Sequence, residues 1–142
     1  MDIRPIAEGY AVSPQIAPED VPAIAARGFT TVICNRPDTE VPHELAAAVI
    51  RIAVEAAGLR FVDNPMAGGG LTMDHIEAQR AALDGATGPV LAYCASGNRS
   101  TILWALANAG RKPTAELVQA GAPYGYQVPM FRDLIERLAQ QG

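Results

Sequence analysis

Apolar positions along this chain alternate between short continuous runs and segments with a helical period. Phe29-Thr30-Thr31-Val32-Ile33-Cys34 is β-branched and almost wholly apolar or threonine, the pattern of a strand buried on both faces and lying centrally in a parallel sheet. Pro89 to Tyr93 and Leu59 to Val62 read as further strands. Ile3 to Pro5 and Tyr10 to Ser13 read as short edge strands, since proline and glycine interrupt them. Between the strands the spacing turns helical. Pro18-Glu19-Asp20-Val21 opens a helix with proline and acids in its first turn, and Arg27 and Gly28 close it. From His43 to Ala57, residues Leu45, Val49, Ile52 and Ala56 share one helical face, and Gly58 ends that helix. Pro65 to Gly70 is a flexible loop, after which Thr72 caps a helix running to about Leu83. A helix from about Ser100 to Ala109 is closed by Gly110, and Phe131, Leu134, Ile135 and Leu138 form an amphipathic C-terminal helix. Alternating strands and helices predict an α/β three-layer sandwich with a mostly parallel central sheet of four to five strands. Sites in such sheets lie at the carboxyl ends of strands, so Cys34, the loop after Val62, and Cys94 are expected on one rim.

Composition narrows the function. With 142 residues, 49% of them hydrophobic, the chain is expected to form one domain over residues 1–142. Only 18% of residues are charged and the formal net charge is -4, which argues against nucleic acid or an anionic membrane as partner. Any positive potential must be local. The N-terminus lacks an apolar signal core and no run approaches the roughly 18 residues of a membrane span, so a soluble cytoplasmic protein is expected. Cys34 and Cys94 are too few for a disulfide framework, and His43 and His75 are far apart, so neither a metal site nor a cofactor is expected.

The chemistry concentrates in Cys94-Ala95-Ser96-Gly97-Asn98-Arg99-Ser100, set between an apolar strand and an apolar helix. A loop in that position turns the amides of Ala95, Ser96, Gly97 and Asn98, with the positive helix end, towards an anion above the Cys94 thiol. The same surroundings favour the thiolate. Arg99 is permanently charged and can clamp two oxygens of a tetrahedral anion. A free cysteine is more often a buried small hydrophobe, but such a residue needs none of these neighbours. A small anionic substrate follows; the sequence points to no protein partner. Asn35-Arg36-Pro37-Asp38 also follows a strand, where Arg36 either adds a second positive charge or pairs with Asp38 or Glu40 in a turn. Cys34 reads as a buried strand residue or as a resolving thiol for oxidised Cys94. Gly121 to Tyr126 is a loop that could border the pocket.

Cys94 followed by four residues and Arg99-Ser100, together with Val32-Ile33-Cys34-Asn35-Arg36-Pro37-Asp38, Ser13-Pro14-Gln15-Ile16, Gly58-Leu59 with Pro65, and Thr101-Ile102-Leu103-Trp104, resembles the beta-lactamase hydrolase-like phosphatase family of the tyrosine-phosphatase-like superfamily. The resemblance covers nearly the whole chain. It implies a tyrosine or dual-specificity phosphatase-like fold, Cys94 as nucleophile passing through a phosphocysteine, Arg99 as anion clamp and Ser100 as the hydroxyl that eases departure of sulfur. A phosphatase also uses a carboxylic acid to protonate the leaving oxygen. Asp63, 31 positions before Cys94, has a separation comparable to that acid's, or else simply ends a strand, while Asp74 is a second candidate that reads better as a helix first-turn residue. Tyrosine phosphatases carry five residues between cysteine and arginine and usually a histidine before the cysteine; this chain has four, and Tyr93. That spacing is similar to the rhodanese sulfurtransferase loop, which implies a Cys94 persulfide and needs no such acid. The sequence therefore leaves three readings: a phosphatase-like hydrolase, a sulfurtransferase, and a module that binds an anion without turnover.

Overall fold

The computed structural model describes residues 1–67 and 69–141; Gly68, within the loop expected to be flexible, lies outside the described residues. Five strands, β1 (Arg4–Ala7), β2 (Tyr10–Ser13), β3 (Thr31–Cys34), β4 (Arg60–Asp63) and β5 (Val90–Tyr93), form one sheet in the order β1-β2-β5-β3-β4. All neighbours are parallel except β1 and β2. The apolar runs at β3 and β5 are fully buried, as continuous runs require when both faces are covered. Tyr10 to Ser13 departs from expectation: it is not an edge but lies between β1 and β5 with all four residues buried. The cause is the turn before it, where Gly9 takes φ +80° and folds β1 back as the true edge, carrying Pro5 where a missing amide does no harm.

Helices α1 (Val21–Ala26) and α2 (Ala47–Ala56) cover one face of the sheet, over Val32, Phe61 and Leu91. Helices α3 (Met73–Asp84), α4 (Asn98–Ala107), α5 (Thr114–Gln119) and α6 (Arg132–Gln141) cover the other, over Val12, Ile33 and Ala92. The expected face of α2 is wrong: Ala47, Ile50 and Val54 are buried, while Ile52 is 71% exposed. A separate 3₁₀ turn at His43–Leu45 and extended backbone at Ala46 (ψ 152°) take Leu45 out of the helix. Within it Ala47, Ile50 and Val54 form a second apolar face, opposite Val49, Ile52 and Ala56, and this second face is the one that meets the sheet. Thr72 caps α3 as expected, its hydroxyl accepting from the His75 amide. Helix α4 begins at Asn98, two residues before the expected start, and is buried from Ser100 to Ala107. No helix among the described residues is long and apolar enough to cross a membrane.

Parallel register sets Ser13, Tyr93, Cys34 and Asp63 abreast at the carboxyl rim. Backbone bonds continue past the strand ends: the Asn35 amide donates to the Tyr93 carbonyl (2.8 Å) and the Asn64 amide to the Cys34 carbonyl (2.8 Å). The three chain segments leaving β3, β4 and β5 are thereby fixed against one another.

Candidate active site

The loop after β5 is built around Gly97, whose φ of +99° turns the chain into α4. A side chain there would also collide with the Tyr126 hydroxyl, so glycine answers both a backbone and a space requirement. The outward carbonyl of Ser96 accepts hydrogen bonds from the Tyr126 hydroxyl (2.7 Å) and from Arg4 Nη1 (3.1 Å), and Asn98 Oδ1 accepts from the Gln127 amide (2.8 Å). With its carbonyl side tied from outside, the loop keeps its amides for the other side. The Gly97 amide donates to Cys94 Sγ (3.1 Å), and Asn98's amide donates to Ser96 Oγ (3.2 Å). Among the described residues the amides of Ala95, Ser96, Arg99 and Ser100 have no backbone or side-chain partner. Cys94 is wholly buried beneath them. Unpaired amides at a helix start carry partial positive charge, and here they belong to the same short loop whose Gly97 amide meets the Cys94 sulfur.

Arg99 is nearly buried, its side chain 14% exposed, and is held by three bonds: a fork to both oxygens of Glu40 (2.7 and 2.9 Å) and Nη1 to the Met66 carbonyl (2.6 Å). Glu40 also accepts from Arg36 Nε (3.4 Å), and Arg36 Nη1 reaches Gln15 Oε1 (3.3 Å). The two sequence readings of Arg36 thus merge, since one carboxylate serves two guanidinium groups and leaves an excess positive charge beside the loop. Hydrogen bonds from Arg99 hold the Glu40 carboxyl below its usual range, against the opposing effect of burial. Asp38 does not pair with Arg36; its Oδ1 accepts from the Ala47 amide (2.8 Å) and so caps α2.

Ser100 is fully buried and its Oγ has no partner, while its carbonyl accepts from the Tyr10 hydroxyl (2.7 Å). Asp63 stands at the end of β4, two strand spacings or about 10 Å from β5, in register with Cys34 and Tyr93. Burial first, then the charge of Asp38, pushes its carboxyl up, with Arg51 of α2 opposing. Those neighbours belong to the α2 side, and no hydrogen bond joins Asp63 to the Cys94 loop among the described residues. Asp74 is exposed in the first turn of α3. Cys34 packs in the apolar layer beneath α1 and α2, its thiol donating to the Arg36 carbonyl (3.3 Å), and burial pushes its pKa up. Among the described residues no group of His, Cys, Asp and Glu gathers that could hold a metal ion.

Sequence reasoning did not find Arg4 and Met66, read Glu40 only as a partner for Arg36, and placed Tyr126 only within a loop that could border the pocket. Glu40 and Arg99 are 59 positions apart, and no local pattern announces such a pair. Tyr124 and Tyr126 do lie against the loop, and Arg4 stacks over both rings.

Residues 2–111 match the family described as "Beta-lactamase hydrolase-like protein, phosphatase-like domain". A beta-lactamase hydrolase-like protein of Xylella fastidiosa (strain 9a5c) is 32% identical over 143 residues, covering 99% of this chain and 33% of that protein. The chain spans about a third of the length of the curated relatives it matches. Among solved structures, a protein of Neisseria meningitidis z2491 described as a candidate phosphatase superposes with a TM-score of 0.81 at 31% identity, over 97% of this chain and 99% of that one. The active form of Tk-PTP shares the fold, with a TM-score of 0.70 at 18% identity, over 99% and 97% of the two chains.

Proposed function

The chain belongs to the beta-lactamase hydrolase-like family through its phosphatase-like domain, and from that premise we propose that it hydrolyses a phosphomonoester through Cys94. The observation that carries this reading is the buried Cys94 sulfur accepting from the Gly97 amide (3.1 Å) in a loop whose other four free amides are unpaired and whose Arg99 interacts with Cys94. The thiolate attacks phosphorus in line; the S–P bond forms as the bond to the leaving oxygen breaks. Amides of Ala95 to Ser100 and the face of Arg99 not engaged by Glu40 hold the equatorial oxygens as charge develops. Water then attacks the phosphocysteine, releasing phosphate and the thiolate, and the partnerless Ser100 hydroxyl donates a hydrogen bond to the departing sulfur. With Glu40, the carboxylate at the loop, held ionised by two arginines, substrates whose leaving oxygen is weakly basic, such as aryl phosphates, turn over best. The test is aryl phosphate hydrolysis by the wild type, Cys94→Ser and Arg99→Lys: abolition in the first variant and a loss of about 10²-fold or more in the second support the reading. A wild type inert across a panel of phosphates rejects it.

One observation favours a second reading, sulfur transfer. Glu40 is committed to two arginines and Asp63 points to the α2 side, so proton donation to a leaving group has no obvious source, and a sulfurtransferase needs none. Cys94 would attack the outer sulfur of thiosulfate, breaking its S–S bond and releasing sulfite, and the persulfide would pass that sulfur to an acceptor thiolate. Intact mass after incubation with thiosulfate or glutathione persulfide decides: one added sulfur atom on the wild type, absent in Cys94→Ser, supports transfer. Anion binding without either activity would leave a binding module.

A further inference from the structure

Behind the site lies a buried polar cluster for which the apolar core has no use. Gln79 of α3 is wholly buried, yet all its hydrogen-bonding capacity is met. Its Nε2 donates to the Tyr10 hydroxyl (3.2 Å) and Asn35 Oδ1 (3.2 Å), and its Oε1 accepts from Asn35 Nδ2 and Asn64 Nδ2, each at 2.9 Å. Each partner leads to the loop that holds the anion. Tyr10 donates onward to the Ser100 carbonyl in the first turn of α4. Asn35 and Asn64 begin the segments leaving β3 and β4; Asn35 Nδ2 donates to the Asn64 carbonyl (2.9 Å), and the Met66 amide donates to the Asn35 carbonyl (3.1 Å). Met66 then presents the carbonyl that fixes Arg99 at 2.6 Å.

We propose that Gln79 is a positioning residue for the anion site, setting Arg99 through Asn35, Asn64 and Met66, and the start of α4 through Tyr10. This rests on the reading of the Cys94 loop as an anion site, whichever transfer reaction it serves. Buried amide networks fix geometry because any rotation leaves a partner unpaired in an apolar surround. Apolar residues of like size would fill the space at Gln79 as well, and α3 is otherwise anchored by Ile76 and Ala82. The amide is required by what it orients.

The test uses tungstate, a tetrahedral dianion, and measures its dissociation constant calorimetrically, so it does not depend on turnover. Gln79→Met is expected to weaken binding about 10-fold in the wild-type background and less than about 3-fold in Arg99→Lys, where the guanidinium it orients is already gone. Tyr10→Phe, which removes one hydroxyl, is expected to weaken binding about 3-fold and carries the test should Gln79→Met not fold. Ile50→Ala, on the opposite face of the sheet, loses stability and leaves the tungstate constant unchanged. Full affinity in both Gln79→Met and Tyr10→Phe, or equal losses in the wild-type and Arg99→Lys backgrounds, overturns the positioning role. A wild type that binds no tungstate overturns the anion-site reading itself, and the inference with it.

Discussion

At the scale of single residues, Glu40 and Asp63 show how environment assigns opposite roles to two carboxylates. Glu40 is drawn below its ordinary value of 4.5 by Arg99. A depressed folded value means its contribution to stability is complete above the unfolded value and is lost as pH falls through the folded one. Glu40→Gln should therefore lower the melting temperature at neutral pH, and the difference from wild type should shrink as pH falls below 4.5 and through the depressed folded value. The same change frees Arg99 from its fork, and kcat/KM or tungstate affinity should fall about tenfold, the equivalent of about 1.4 kcal/mol. Asp63 is shifted the other way from 3.8, so its ionised form opposes folding fully above its raised value; the opposition fades as pH falls through that value and is gone below the unfolded one. Asp63→Asn should raise the melting temperature at neutral pH while activity stays within about threefold. A loss of about 10² to 10⁴ would instead make Asp63 the general acid. The sequence shows Cys94, Arg99 and Ser100 because they are contiguous with a strand and a helix; it conceals Glu40, Met66 and Gln79 because their link to Arg99 exists only once three strand ends are abreast.

At the scale of elements, what was legible is what periodicity and caps determine locally. Buried strands β3 and β5, the Thr72 cap and the glycines that end α1 and α2 are all visible in the chain because each depends on a few adjacent residues. The face of α2 is not, because Ala47, Ile50 and Val54 on one side and Val49, Ile52 and Ala56 on the other are both apolar, and Leu45, which favours the second set in the sequence, lies outside the helix. Denaturant unfolding separates the two faces. Ile50→Ala should cost about 2–4 kcal/mol by opening a cavity beneath α2, whereas Ile52→Lys should change stability by no more than about 0.5 kcal/mol. Counting from Leu45 gives the reverse order. Helix α5 escaped for a related reason: at six residues it is too short to show a period, and only Pro113 before it and Glu116 in its first turn mark its start.

At the scale of the whole molecule, the loop proposed to hold the anion is joined to both halves of the chain. Arg4 and Tyr126, 122 positions apart, meet at the Ser96 carbonyl, while Glu40 and Met66 meet at Arg99. An anion that tightens this loop therefore binds a structure that unfolding destroys entirely, and its binding free energy adds to global stability. Tungstate at about 100 times its dissociation constant should stabilise the protein by about 2.7 kcal/mol, a rise of about 5–15 °C in melting temperature for a chain of this size. The urea slope should remain that of the free protein, because the ligand changes the midpoint and not the surface exposed on unfolding. In Arg99→Lys the rise should shrink in step with the weaker affinity. A rise that persists undiminished in that variant would place the bound anion somewhere other than above Cys94, and the chemistry assigned to the loop would go with it.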